Sequence, residues 1–171
     1  ISQKTFFKSG TTLPLAFRRA QLANLKNAVK QNEKKLMAAL YADLKKPAVE
    51  AYLAEVGFIY EDINYTLKHL SSWMRPPRIS TPLSIPFTQS RVIASPYGRC
   101  LIMAPWNYPL QLSLAPLVGA IAAGNCSLVK PSELAPATSS AIAELIRSTF
   151  PPEFVSVIEG GIEVSRELLA R

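Results

Sequence analysis

Between residues 100 and 158, short continuously apolar runs alternate with stretches of helical spacing, and this order constrains the fold more than any other feature of the chain. Cys100-Leu101-Ile102-Met103 reads as one buried strand, Cys126-Ser127-Leu128-Val129 as a second and Phe154-Val155-Ser156-Val157-Ile158 as a third. Helices are expected over 110–123 and from about 137 to 149. A strand with no polar face has to be covered on both sides, which is the condition of a parallel sheet with helices on each face. The expected fold is therefore α/β, an N-terminal helical arm followed by a partial Rossmann-like parallel sheet. Gly124 closes the first of these helices, and Gly160-Gly161 opens a last one whose pattern is still running at Arg171. A doubly wound sheet normally continues past three strands, so the chain reads as a piece of a longer protein.

Upstream of the sheet, Leu22, Leu25, Val29, Leu36 and Leu40 recur at helical spacing behind Pro14, which suits a first helical turn, and the pattern stops at Pro47. A second helix begins near Val49, carries Tyr52, Val56, Ile59, Ile63, Leu67 and Leu70 on one stripe, and ends before Pro76-Pro77. Together they are expected to form an antiparallel arm over 1–75, packed in part by Tyr60 and Trp73. Prolines at 76, 77, 82 and 86 exclude regular helix and make 76–95 an extended connector, with a short strand over 91–95. An unpaired strand edge there suits association with a second copy. Residues 96–171 carry the sheet.

Lysine and arginine number 19 against 12 aspartates and glutamates, a net charge of +7 that suits phosphate groups or an acidic partner. A basic binding module is the alternative of a different class. Lysines and glutamates are mixed along the arm rather than gathered into a stripe with interleaved aromatics, so no nucleic acid is expected. No apolar run approaches the roughly 18–20 residues that span a bilayer, and Ile1-Ser2-Gln3-Lys4 has no hydrophobic signal region behind it. No membrane segment and a cytoplasmic location are the expectations. Cys100 and Cys126 sit in apolar runs and read as buried thiols. His69, the single histidine, lies far from the strand ends and reads as a surface or packing residue, and no cysteines and histidines have metal-ligand spacing.

Ligands of open α/β sheets bind outside the carboxyl ends of the strands. The first strand ends in Ala104-Pro105-Trp106-Asn107-Tyr108-Pro109. A fixed side-chain amide aimed at a developing oxyanion is worth roughly 3–4 kcal/mol in a dry site, which makes Asn107 a candidate for that role. It equally suits a cap of the following helix. The second strand ends in Lys130-Pro131-Ser132-Glu133. The lysine can hold an anionic or hydroxylated group and the glutamate can accept two hydrogen bonds from a ribose diol. The alternative is a solvated loop in which Ser132 and Glu133 form part of a helix cap. The turn Pro105-Trp106-Asn107 stands where a G-x-G-x-x-G would bring backbone close to a pyrophosphate, so any dinucleotide has to bind in another way. Gly160-Gly161 admits close approach of an adenine or is simply a helix entry.

Taken jointly, Ala-Pro-Trp-Asn-Tyr-Pro at 104–109, Gly-Ala-Ile-Ala-Ala-Gly-Asn at 119–125 and Lys-Pro-Ser-Glu at 130–133 resemble the aldehyde dehydrogenase superfamily. With Asp43-Leu44-Lys45-Lys46, the helix from 52 to 73 and Gly160-Gly161, the chain is most similar to the class 3 branch, which includes fatty and aromatic aldehyde dehydrogenases. The resemblance implies oxidation of an aldehyde through a cysteine thiohemiacetal, with NAD or NADP as cofactor and a homodimeric full-length enzyme. It makes 96–171 the first part of an NAD(P)-binding domain. Asn107 would donate to the oxyanion, and Lys130, Ser132 and Glu133 would form the ribose site. Met103, Ala104, Pro105 and Trp106 would line the cofactor path, Gly160 and Gly161 would lie by the adenine, and Tyr108 would face the aldehyde tunnel. The family's nucleophilic cysteine, general-base glutamate and glycine-rich loop lie downstream of the matched region, so the 171 residues alone are expected to be inactive. A relative that reduces an acyl-CoA or acyl phosphate is the alternative within the same fold.

Overall fold

The computed structural model describes residues 2–81, 84 and 87–170. Helix α1 (Gln3–Lys8), capped by the Ser2 hydroxyl, lies against the sheet, where the Gln3 amide donates to Ser127 O at 2.7 Å. Helix α2 (Leu15–Leu44) follows Pro14, which is extended and sits just outside the helix rather than in its first turn. Lys45 adopts a left-handed φ of 55° and stops α2 two residues before Pro47. The expected stripe of Leu22, Leu25, Val29, Leu36 and Leu40 is wholly buried.

The second long helix is not continuous α. It consists of α3 (Ala48–Ala51), a π-helical turn (Tyr52–Val56) and α4 (Gly57–Trp73). The Gly57 N–H donates to Tyr52 O, a five-residue step that inserts one residue relative to α spacing and rotates everything before it. This corrects the start of the predicted stripe. Val56, Ile59 and Ile63 are buried, but Ala51 and Glu55 turn inward where Tyr52 was expected, and Tyr52 is exposed. Trp73 is also exposed rather than packed, lying in a stack with His69 and Tyr65, whereas Tyr60 is partly buried and donates to Glu33 at 2.8 Å.

The connector forms a small antiparallel ribbon, β1 (Arg78–Ile79) paired with β2 (Ser90–Arg91). The strand expected over 91–95 is thus confined to its first residue and the one before it, because β1 offers a partner only two residues long. The prolines expected to break structure at 82 and 86 lie outside the described residues. The sheet then builds as anticipated: β3 (Arg99–Met103), α5 (Pro109–Ala123), β4 (Cys126–Lys130), α6 (Pro136–Thr149) and β5 (Val155–Val157), followed by α7 (Ile162–Leu169). The three strands are parallel in the order β3-β4-β5. Gly124 leaves α5 at a φ of 88°, and the Arg18 guanidinium fills the space a side chain there would need. Helix α2 packs most extensively against α6, so that Leu22, Leu25 and Leu36 share one hydrophobic core with Leu114, Val129, Ile142 and Ile146.

Candidate active site at the strand tips

Register aligns Met103, the last residue of β3, with Lys130, the last of β4, and the Ala104 N–H donates to Lys130 O at 3.1 Å. The two tips singled out in the sequence are therefore adjacent. At the β3 tip, Met103, Pro105, Trp106, Asn107 and Tyr108 are exposed and Ala104 is half-buried. Asn107 does not cap α5. The N-cap position belongs to Tyr108, which makes no side-chain cap bond, and Pro109 follows it inside the helix. The free N–H groups of Leu110 and Gln111 donate instead to Glu55 Oε2, at 2.8 and 3.2 Å. Glu55, wholly buried in the π-turn, also pairs through Oε1 with Lys46 Nζ at 2.5 Å. Lys46 Nζ donates to Asn107 O at 2.9 Å and lies 4.1 Å from the Tyr108 ring centroid. The Asn107 carboxamide has no partner among the described residues.

At the β4 tip, Lys130 and Ser132 are buried and Glu133 reaches the surface. Lys130 Nζ lies 2.5 Å from Glu133 Oε2, and that hydrogen bond holds the Glu133 carboxyl below its ordinary range. Ser132 Oγ accepts from the Leu134 N–H at 3.2 Å, closing the turn. Neither Ser132 nor Glu133 caps α6. That helix, like α5, has proline in its first turn, and the N–H groups of Ala137 and Thr138 donate to Asp43 Oδ1 and Oδ2 at 3.1 and 2.7 Å. Beside β5, the direction a side chain would take from Gly160 is filled by Val164, whose Cγ2 would lie 2.5 Å from an added Cβ. Gly161, exposed, opens α7 with free space around it and no side-chain cap bond.

The remaining candidates lie away from this edge. Burial pushes the thiol of Cys126 up to about 11, and Cys100, only half-buried, is raised in the same direction, so neither is poised as a thiolate. A hollow of about 670 Å³ opens between α4, residues 92–96 and the C-terminal end of α5, at the opposite edge of the sheet, and no tip residue lines it. Its position makes it a poor site for chemistry at the strand tips.

Three residues that organise the tips, Asp43, Lys46 and Glu55, were not singled out by chemistry in the sequence. Asp43 and Lys46 stood only in the Asp43-Leu44-Lys45-Lys46 run. Glu55 falls on the side of the expected stripe, three residues after Tyr52 and four before Ile59, but as a charged residue it does not enter a stripe of apolar ones. The available signal of the π-turn was Gly57, where an added Cβ would come within 3.0 Å of Tyr52 O, the carbonyl that closes the turn.

Compared with known proteins, residues 2–171 match the Aldehyde dehydrogenase family. The chain is 44% identical over 166 residues to a 4,4'-diaponeurosporen-aldehyde dehydrogenase of Staphylococcus aureus, covering 97% of this chain and 36% of that protein. It is 40% identical over 163 residues to aldehyde dehydrogenase family 3 member B1 of Bos taurus, covering 95% and 35%. The solved substrate-bound state of Staphylococcus aureus AldH superposes with a TM-score of 0.97 at 43% identity, covering 99% of this chain and 37% of that one. The chain spans about 36% of the length of the first of these relatives.

Proposed function

The chain belongs to the aldehyde dehydrogenase family, and we propose that it is the N-terminal part of a class 3-type enzyme that oxidises aldehydes to carboxylic acids. In this reading an aldehyde is attacked by a cysteine thiolate from outside these residues, and the Asn107 carboxamide donates a hydrogen bond to the oxygen as it gains negative charge. Tyr108 borders the path of the aldehyde. A bound NAD or NADP supplies the acceptor for the hydride that leaves the aldehyde carbon.

The donor set at the β4 tip fits that cofactor. Glu133 is a surface carboxylate able to accept from a ribose diol, and the buried Lys130 ammonium beside it keeps that carboxylate ionised. Met103, Ala104, Pro105 and Trp106 form the wall between the tips, Ser132 fixes the turn beneath Glu133, and Gly160 and Gly161 flank the adenine. The carboxylate disfavours a 2′-phosphate and the ammonium offsets that, so both cofactors are accepted. The full-length protein is a cytoplasmic homodimer that associates through the exposed β1–β2 ribbon.

The adjacency of Met103 and Lys130 in register, which brings a free carboxamide and a lysine-glutamate pair to one sheet edge, carries this reading most directly. The test is reduction of NAD or NADP by the full-length protein with aldehydes from short to long, followed by absorbance. Asn107→Ala is expected to lower kcat roughly 10²- to 10³-fold with little change in the KM for cofactor. Absence of turnover with every aldehyde, or an Asn107→Ala variant with unchanged kcat, overturns it.

A further inference from the structure

We infer that Lys46, oriented by Glu55, is a positioning residue that fixes the backbone of Asn107 so that its carboxamide is presented in one place. The inference rests on the reading of Asn107 as the oxyanion donor and extends it to two residues of the helical arm.

A cap for α5 needs only a hydroxyl, amide or carboxylate at its start, and a neutral serine or asparagine does this routinely. Here the helix start is served by a carboxylate brought from another element, together with an ammonium that is itself almost fully buried. Taking both charges out of water is costly, so the capping of α5 alone does not account for Lys46. The ammonium's contacts do. It meets Glu55 Oε1 at 2.5 Å, Asn107 O at 2.9 Å and the face of the Tyr108 ring at 4.1 Å from its centroid. Two of these three partners are the residues at the exposed end of the loop.

Together the two side chains grip the tip at Asn107 and just downstream of it. Glu55 holds the N–H groups of Leu110 and Gln111 downstream, while Lys46 holds the carbonyl of Asn107 itself. The carboxamide is left unengaged and exposed. A fixed backbone with a free amide is what a preorganised donor requires, because the group then pays no reorganisation cost when charge develops. Glu55 lies within the π-turn and is wholly buried while Tyr52 is exposed, and π-turns of this kind are frequent at functional sites.

The test uses the full-length enzyme and three variants, Lys46→Met, Asn107→Ala and the double substitution, assayed with an aldehyde and NAD. Lys46→Met removes the hold on Asn107 while Glu55 keeps its two backbone bonds to α5. It is expected to lower kcat roughly 10²-fold, the scale of a misplaced catalytic group, with the KM for NAD changed less than about twofold and circular dichroism unchanged. The double variant is expected to be no slower than Asn107→Ala, since two substitutions that disable one unit do not add. Lys46→Gln, which keeps a donor but lacks the reach, takes its place if Lys46→Met does not fold. Unchanged kcat in a folded Lys46 variant, with Asn107→Ala impaired, overturns the inference and leaves the proposed function standing. Unimpaired Asn107→Ala overturns both. A crystal structure of either Lys46 variant in which residues 104–108 keep their path also overturns the inference.

Discussion

At the tip of β3 the loop 104–108 is exposed and is held from outside the sheet by Lys46 and Glu55, whereas at the tip of β4 Lys130 and Ser132 are buried and Lys130 pairs with a residue of its own loop. The helices that follow begin alike, each with proline in the first turn and each capped by a carboxylate from the arm, Glu55 for α5 and Asp43 for α6. The difference is the ammonium. Among the described residues the Asp43 carboxylate has no hydrogen bond beyond its two to α6, while Glu55 also carries Lys46 to the loop. Burial and bonds within its own loop hold the β4 tip; a tip that has to stay exposed and still keep one conformation needs bonds from a neighbouring element.

The largest effect expected from this contrast is on Glu55. Glu55→Ala leaves the Lys46 ammonium buried without its counter-charge and frees two N–H groups, and should cost about 3–5 kcal/mol in urea unfolding of the full-length protein. Asp43→Ala removes a cap alone and should cost about 1–2 kcal/mol. Equal losses in the two variants would erase the distinction between a cap and a charged clamp. Glu133→Gln should cost below about 1 kcal/mol, because the carboxyl is partly exposed and the glutamine keeps an oxygen that can accept from the Lys130 ammonium. Its folded pKa is lowered, so what it contributes is present above about pH 4.3, the ordinary glutamate value, and is lost as the pH falls through the lower folded value. Unfolding curves of wild type and Glu133→Gln should therefore converge in acid. A gap that widens there would mean that the Lys130 bond does not favour the ionised form.

The sheet and its helices were legible because their signals are local. Cys100 to Met103 and Cys126 to Val129 are continuous apolar runs, and the α2 stripe follows one uninterrupted period. The positions of the tips followed from the same pattern. What holds the tips was not legible, since the partners of Asn107 O and of the α5 N–H groups lie 61 and 55 residues away in sequence. Glu55 lies on the side of the expected stripe, but a stripe of apolar residues does not point to a carboxylate. The caps that Asn107 and Ser132 with Glu133 offered as alternatives are not formed for one shared reason: a carboxylate arriving from a distant helix takes the place of a local side chain. The strand expected over 91–95 is shorter in the structure because the β-branched Val92 and Ile93 speak to propensity and say nothing of the length of the partner.

The single core shared by α2 and α6 has a mechanical consequence. Ile142, Leu145 and Ile146 of α6 belong to the core that it shares with the long helix, and the Lys35–Glu144 pair bridges the same two helices. Peeling the first helices away would wet that face and at the same moment strip both sheet helices of their capping carboxylates. Opening of this seam and loosening of the strand ends are thus one cooperative event, and amide protons on either side of it share a common exchange barrier.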